Sequence, residues 1–227
     1  MNPLSSYFQL PIELPSPDEL FANSELPIHL DIGSARGKFL LSMASLDSTR
    51  NFLGVEIRKP LVITAERNRE KLGLNNLKFV FCNANVSLET WLAKLPRTCI
   101  EIVSIQFPDP WFKKRHQKRR VLQPSLLLAL ANNIRPGCQL FMQSDISDVL
   151  KTMKLLVEIS GCFEHDESLN ELCLQKSPFP IPTEREAYVL ARGLPIYRVT
   201  YARNNKPIPD LLQLEETYKK FQCLSSK

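Results

Sequence analysis

The chain is short of the residues from which metal sites and disulfide frameworks are built. It has three histidines, and its six cysteines, at 82, 99, 138, 162, 173 and 223, never form a C-x-x-C pair. That pattern argues against a zinc site and against a stapled secreted scaffold. It fits reduced, mostly buried thiols in a cytoplasmic protein. The G-x-G-x-x-G fingerprint of dinucleotide-binding turns is absent. No cationic n-region leads into an apolar run at the start, so no secretory signal is expected. No apolar stretch approaches a membrane span, and there is no internal repeat or low-complexity tract.

Excess charge is confined to one place. The formal net charge is +5, and six Lys/Arg fall within residues 113–120 alone. The basicity is therefore local, which favours a docking patch for a polyanion over a generally basic chain.

What is present is the rhythm of an α/β domain. The 227 residues are 44% apolar, enough for one sizeable core. Residues 1–26 hold four prolines and read as an arm that packs on the domain or moves. Short apolar runs at 27–33, 51–57, 76–84, 99–107 and 138–144 read as strands, and 38–46, 61–72, 124–134 and 145–160 read as helices. Strand–helix alternation predicts a doubly wound, mostly parallel sheet. Towards the C-terminus, 183–193 reads as a short helix and 195–203 as a strand. With no helix of the earlier rhythm between 171–175 and that strand, an antiparallel C-terminal edge strand is expected. The expected boundaries are an arm at 1–26, one domain at 27–207 and a tail at 208–227, where 208–224 allows a terminal helix.

Two carboxylates mark a ligand edge. LDIGSARGKFL (30–40) is strand, glycine turn and helix, with Asp31 just before Gly33 and with Gly37 closing the turn. Glu56 ends the second strand, where a carboxylate is placed to accept both hydroxyls of a ribose. An acid at the turn repels pyrophosphate but suits a cationic cofactor such as S-adenosylmethionine. This disfavours a nicotinamide-dependent oxidoreductase. Asn83, after the third strand, is placed to bond an adenine edge, or simply to form a turn; the two readings weigh equally.

The segment FPDPWFKKRHQKRR (107–120) sets Asp109 between two prolines, followed by Trp111 and the basic run. The prolines predict a rigid turn. Trp111 reads more readily as a packing anchor than as a stacking platform. Asp145 has the position of a helix N-cap, and Thr183 with Glu186 has the T-x-x-E spacing of a capping box.

Together these segments resemble the bacterial-type tRNA (guanine-N7-)-methyltransferases, a family of Rossmann-like, class I methyltransferases. The resemblance runs from about residue 28 to 203. LDIGSARGKFL, NFLGVEI and NLKFVFCNA are similar to the three cofactor motifs. FPDPWFKKRHQKRR is the family hallmark, and QSDIS (143–147) and TEREAY (183–188) are similar to two substrate-side motifs. The resemblance implies the class I methyltransferase fold, S-adenosylmethionine as methyl donor, and a tRNA guanosine at position 46 of the variable loop as acceptor. It places Asp31, Gly33, Gly37, Glu56, Asn83 and Asp109 at the cofactor, with Asp109 as the catalytic group. It places Lys113, Asp145, Thr183, Glu184, Arg185 and Glu186 at the guanosine. Lys114, Arg115, Lys118, Arg119 and Arg120 are then candidates for the tRNA backbone. No metal and no membrane are implied, and oligomeric state is not legible.

In two places the chain departs from the family pattern. Family members often carry Gly where Ala35 stands and Asp where Asn83 stands, and cofactor affinity is the quantity these departures bear on. A non-catalytic RNA-binding module on the same fold is the competing class, and an intact Asp31–Glu56 pair argues against it.

Overall fold

The computed structural model describes residues 2–97, 99–165 and 176–224. Two short helices, α1 (Ser6–Gln9) and α2 (Pro17–Leu20), lie in the N-terminal arm. Then come β1 (Ile28–Ile32), α3 (Lys38–Leu46), β2 (Asn51–Glu56), α4 (Lys59–Lys71), β3 (Leu77–Phe81), α5 (Ala84–Leu92) and β4 (Ile100–Gln106). A 3₁₀ helix (Lys114–Arg119), α6 (Pro124–Asn133), β5 (Gln139–Ser144), α7 (Ser147–Ser160) and β6 (Phe163–His165) follow. The described chain closes with α8 (Glu184–Leu190), β7 (Tyr197–Arg203) and α9 (Leu211–Leu224).

The strands form one sheet in the order β3-β2-β1-β4-β5-β7-β6. β1 to β5 run parallel, and β7 is antiparallel to both β5 and β6. β1, β2 and β5 bury nearly every residue, as strands covered on both faces must. α3 and α4 close one face over Phe39, Leu40, Phe52 and Phe79. α5, α6, α7 and α9 close the other over a larger core that includes Leu88, Leu127, Leu156 and Leu214.

After β3 the chain crosses back to lay β4 beside β1. The carboxyl ends of β1 and β4 therefore flank the point where strand order reverses, the usual ligand crevice of such sheets. The antiparallel edge has a particular arrangement. The chain forms β6 first and then returns through α8 to insert β7 between β5 and β6, so the outermost strand is β6. Residues 171–175 lie outside the described residues.

Other boundaries follow local chemistry. α4 starts at Lys59, two residues earlier than its pattern suggests, because Pro60 sits in the first turn, where a missing N–H costs nothing. It ends on Gly73 at φ +64°, with Gly73 N–H bonded to Glu70 O and Leu74 N–H to Arg69 O, the double bond of a left-handed C-cap. α5 is a helix that the sequence pattern leaves unassigned. Five of its nine residues are apolar, and Asn83 caps it by accepting from Asn85 N–H at 3.2 Å. The arm packs on it: Trp91 Nε1 donates to Pro15 O at 2.7 Å, and Leu14, Leu20 and Phe21 are buried.

Candidate active site

The cleft at the carboxyl edge is walled by Gly33, Glu56, Arg58, Cys82, Asn83, Gln106, Asp109, Trp111 and Arg119, among others. The glycine turn after β1 builds one side. Gly33 sits at φ +93°, a conformation L side chains rarely adopt, and its Cβ position faces open space. Ala35 holds φ +51° without glycine's freedom, so this turn carries backbone strain. Gly37 (φ +73°) packs against Phe79 and Ala65 and does not line the cleft. Its function there is to let α3 approach the sheet.

Asp31 is 5% exposed. Ser104 Oγ donates to its Oδ1 at 2.6 Å and Gln106 Nε2 to the same oxygen at 3.2 Å. Burial nevertheless pushes its carboxyl up to about 6; the two hydrogen bonds pull the other way, and Glu56 adds a further upward push. Behind Ser104, His29 Nε2 lies 2.8 Å from Ser104 Oγ. Ser104 spends its proton on Asp31, so His29 must donate, and its Nδ1 is left buried without a partner. Burial pushes the imidazole down to about 3, with Arg50 helping, so the ring is neutral.

Glu56 is already engaged. Its Oε1 accepts from Arg58 N–H and Nε, both at 2.9 Å, and its Oε2 accepts from Ala35 N–H at 2.9 Å and Arg58 Nη2 at 3.3 Å. Arg58, two residues on, was the element missing from the sequence reading. Asn83 is engaged as well: beyond capping α5, its Nδ2 donates to Pro3 O and Phe8 O of the arm. The turn role read from the sequence is therefore present, and Pro3 forms part of the cleft wall. Cys82 also lines the cleft, but burial pushes its thiol up to about 12, so it is no nucleophile.

The second side is the Pro108–Asp109–Pro110 turn. Flanking it, Phe107 (φ +48°) and Trp111 (φ +41°) are both left-handed, a clustering of strain typical of functional turns. Asp109 is exposed and lines both the cleft and an outer groove shared with Phe112, Lys113 and His116. It thus forms the partition between them. Trp111 is packed, with His116 edge-on at 5.6 Å and the Arg119 guanidinium over its ring at 5.0 Å. Lys113, Arg115 and Lys118 are exposed. Arg119 turns into the cleft wall and Arg120 lies beside Tyr218 of α9, so the last two residues of the basic run point elsewhere than the first.

The substrate-side motif is fastened residue by residue. Thr183 and Glu186 form the expected capping box of α8. Glu184 pairs with Lys38 at the start of α3 at 2.7 Å, and Arg185 pairs with Asp145. Asp145 is therefore a partner of α8 and not a cap: α7 begins at Ser147, with Ile146 in the cap position. Glu186 is 3% exposed, and its oxygens are bonded by Arg198 Nη2 at 2.7 Å, Gln143 Nε2 at 3.1 Å and Thr183 N–H at 3.3 Å. The sequence reading missed His29, Ser104, Gln106, Gln143 and Arg198. Their signal was polarity inside otherwise apolar strands. Among the described residues no cluster of three or more His, Cys, Asp or Glu could hold a metal, and no helix is long and apolar enough to cross a membrane.

A seven-stranded sheet of this order, with acidic residues at the ends of β1 and β2 and a cleft at the reversal point, defines a class I methyltransferase fold. Solved structures agree: the 16S rRNA methyltransferase KamB superposes with a TM-score of 0.55 at 14% identity, covering 82% of this chain and 92% of that one. An antibiotic-related methyltransferase superposes at 0.52 and 17% identity, covering 86% and 96%. The family model described as "Putative methyltransferase" matches residues 25–199. A tRNA (guanine-N(7)-)-methyltransferase of Prochlorococcus marinus (strain MIT 9313) is 58% identical over 95% of this chain and 91% of its own length. The enzyme of the same name from Synechococcus sp. (strain WH7803) is 57% identical with the same coverage. The chain belongs to the tRNA (guanine-N(7)-)-methyltransferase family.

Proposed function

We propose that the protein transfers a methyl group from S-adenosylmethionine to N7 of a tRNA guanosine, giving N7-methylguanosine and S-adenosylhomocysteine. The observation that carries this reading is one cleft walled by Glu56 and by Asp109 of the family's PDPW turn, with Asp31 buried beside it. Position 46 of the variable loop is the acceptor that the family resemblance implies, and a tRNA substrate implies action in the cytoplasm.

The residues suit the cofactor. Asp31 is a carboxylate whose ionised form is penalised by burial, and a ligand cation placed beside it would relieve that penalty. Glu56, held by Ala35 N–H and Arg58, would take up a ribose hydroxyl in exchange for an Arg58 contact, and Asn83, which caps α5 and bonds the arm, is the residue proposed for the adenine edge. When bound, S-adenosylmethionine supplies an electrophilic methyl on a sulfonium. The chain's own residues align and shield. Guanine N7 has an in-plane lone pair, so no general base is required, and alignment supplies much of the effect. Asp109, at the partition, is the catalytic group: it orients the base and stabilises the positive charge that develops on the imidazole ring. Lys113 of the outer groove and Arg185, paired with Asp145, are the proposed guanosine contacts. Glu186 acts from within by fixing Thr183 and α8. Lys113, Arg115 and Lys118 present exposed cations to phosphate.

The deciding experiment incubates the protein with methyl-labelled S-adenosylmethionine and unmodified tRNA, and maps the product base. Label on guanine N7 of wild-type tRNA, lost when position 46 is not guanosine, is the expected outcome. A folded protein that leaves N7 unlabelled overturns the reading.

A further inference from the structure

A row of polar side chains crosses the sheet just behind the cleft. Asp31 of β1 is the Cα partner of Ser104 on β4, Gln106 of β4 is the partner of Gln143 on β5, and Gln143 is the partner of Arg198 on β7. Alternate residues of a strand share a face, so Ser104 and Gln106 point the same way and the row is continuous. Arg198 Nε donates to Gln143 Oε1 at 3.0 Å, Gln143 Nε2 to Gln106 Oε1 at 2.8 Å, and Gln106 Nε2 to Asp31 Oδ1 at 3.2 Å. Gln143 Nε2 and Arg198 Nη2 also grip the two oxygens of Glu186.

The polarity of this row is fixed. It begins at a guanidinium, which only donates, and ends at a carboxylate, which accepts. Neither amide can flip without setting its carbonyl against a carboxylate or its NH₂ against the guanidinium. Gln143 is fully buried, and Arg198 and Glu186 have side-chain exposures of 5% and 3%. A bond lost at Gln143, in so buried a setting, is costly to replace. We infer that Gln106 and Gln143 are positioning residues that tie the Asp31 carboxylate to the buried Glu186–Arg198 pair, so that the cofactor wall and α8 hold one geometry. The inference rests on Asp31 being the cofactor carboxylate, as proposed above.

Calorimetric binding of S-adenosylhomocysteine across pH tests it. The groups facing Asp31 are Ser104 and Gln106 from β4 and Glu56 from β2, with neutral His29 behind Ser104; all but the substituted residue are unchanged in each variant. Wild-type binding should weaken as pH falls and Asp31 takes a proton. Gln106→Met removes a donor to the carboxylate and should move that acid limb to higher pH. Gln143→Met, which does not touch Asp31, should move it in the same direction by a smaller amount, about half a pH unit, or a threefold loss of affinity on the limb. A purely structural role for Gln143 would lower stability without moving the limb. Arg198→Lys keeps a cation near Glu186 but removes the Nε–H that holds Gln143, and it should shift the limb likewise. If Gln143→Met does not fold, Arg198→Lys decides. An unmoved limb in whichever of these folds overturns the inference. Wild-type protein that binds no S-adenosylhomocysteine would instead sink the cofactor reading itself.

Discussion

Asp31→Asn should make the protein more stable at neutral pH while it weakens the ligand. Asp31 is buried, and its carboxyl stands at about 6 against an ordinary 3.8. Between those values the folded protein holds a proton that the unfolded chain has already released. Stability therefore falls as pH rises through this window, and the penalty is complete above it. Its full size is roughly 3 kcal/mol, at about 1.36 kcal/mol per pKa unit. Asparagine keeps an oxygen to accept from Ser104 and Gln106 and carries no charge to desolvate. Paired urea or thermal unfolding of wild type and variant should show the variant's relative stability growing by about 2 kcal/mol between about pH 4.5 and pH 7.5. In a chain of this size that is a relative gain of roughly 4–8 °C in Tm. Binding of S-adenosylhomocysteine should fall by about tenfold or more over the same comparison. Comparing the two proteins cancels every other titrating group. A stability difference that stays flat across the interval would refute the reasoning, because it would mean that burial does not penalise the ionised form of Asp31. Stability given up at a ligand site is common in functional proteins.

Three other expectations follow from the geometry. Asp109→Ala should lower kcat by about 100-fold or more with little change in melting temperature, since the side chain is exposed; unchanged turnover in the methyl-transfer assay would remove its catalytic role. Charge reversal at Lys113, Arg115 and Lys118 together should weaken tRNA binding and lower the slope of log affinity against log salt by roughly 2–3, and an unaltered slope in a filter-binding titration would mean that these cations do not meet phosphate. Gly54→Ala places a Cβ 2.5 Å from Phe79 Cδ1 and 2.8 Å from Ser34 Oγ, and should cost about 1–3 kcal/mol in urea unfolding, with Phe79→Leu restoring part of the loss.

By itself the sequence determined the alternation of elements, the edge at which the cleft opens, and the family. Apolar runs such as those of β1, β2 and β5 are long enough to be strands only if both faces are covered, and Asp31 and Glu56 stand at the ends of two of them. The T-x-x-E spacing announced the capping box of α8, because a cap is a contact between near neighbours in the chain. Contacts between distant residues were not legible. That Glu186 faces Arg198 and Gln143, that Asp145 holds Arg185 and leaves the cap of α7 to Ile146, and that the arm meets Asn83 depend on strand register and on where the chain crosses back. The basic run shows the same division. Its charge was plain from the sequence, but only the 3₁₀ turn around Trp111 sends Arg119 into the cleft wall and Arg120 to α9, while Lys113, Arg115 and Lys118 stay outside. Residue type is written in the chain, whereas the partner that neutralises or orients a side chain is set by which strands lie adjacent and by how much water is left between them.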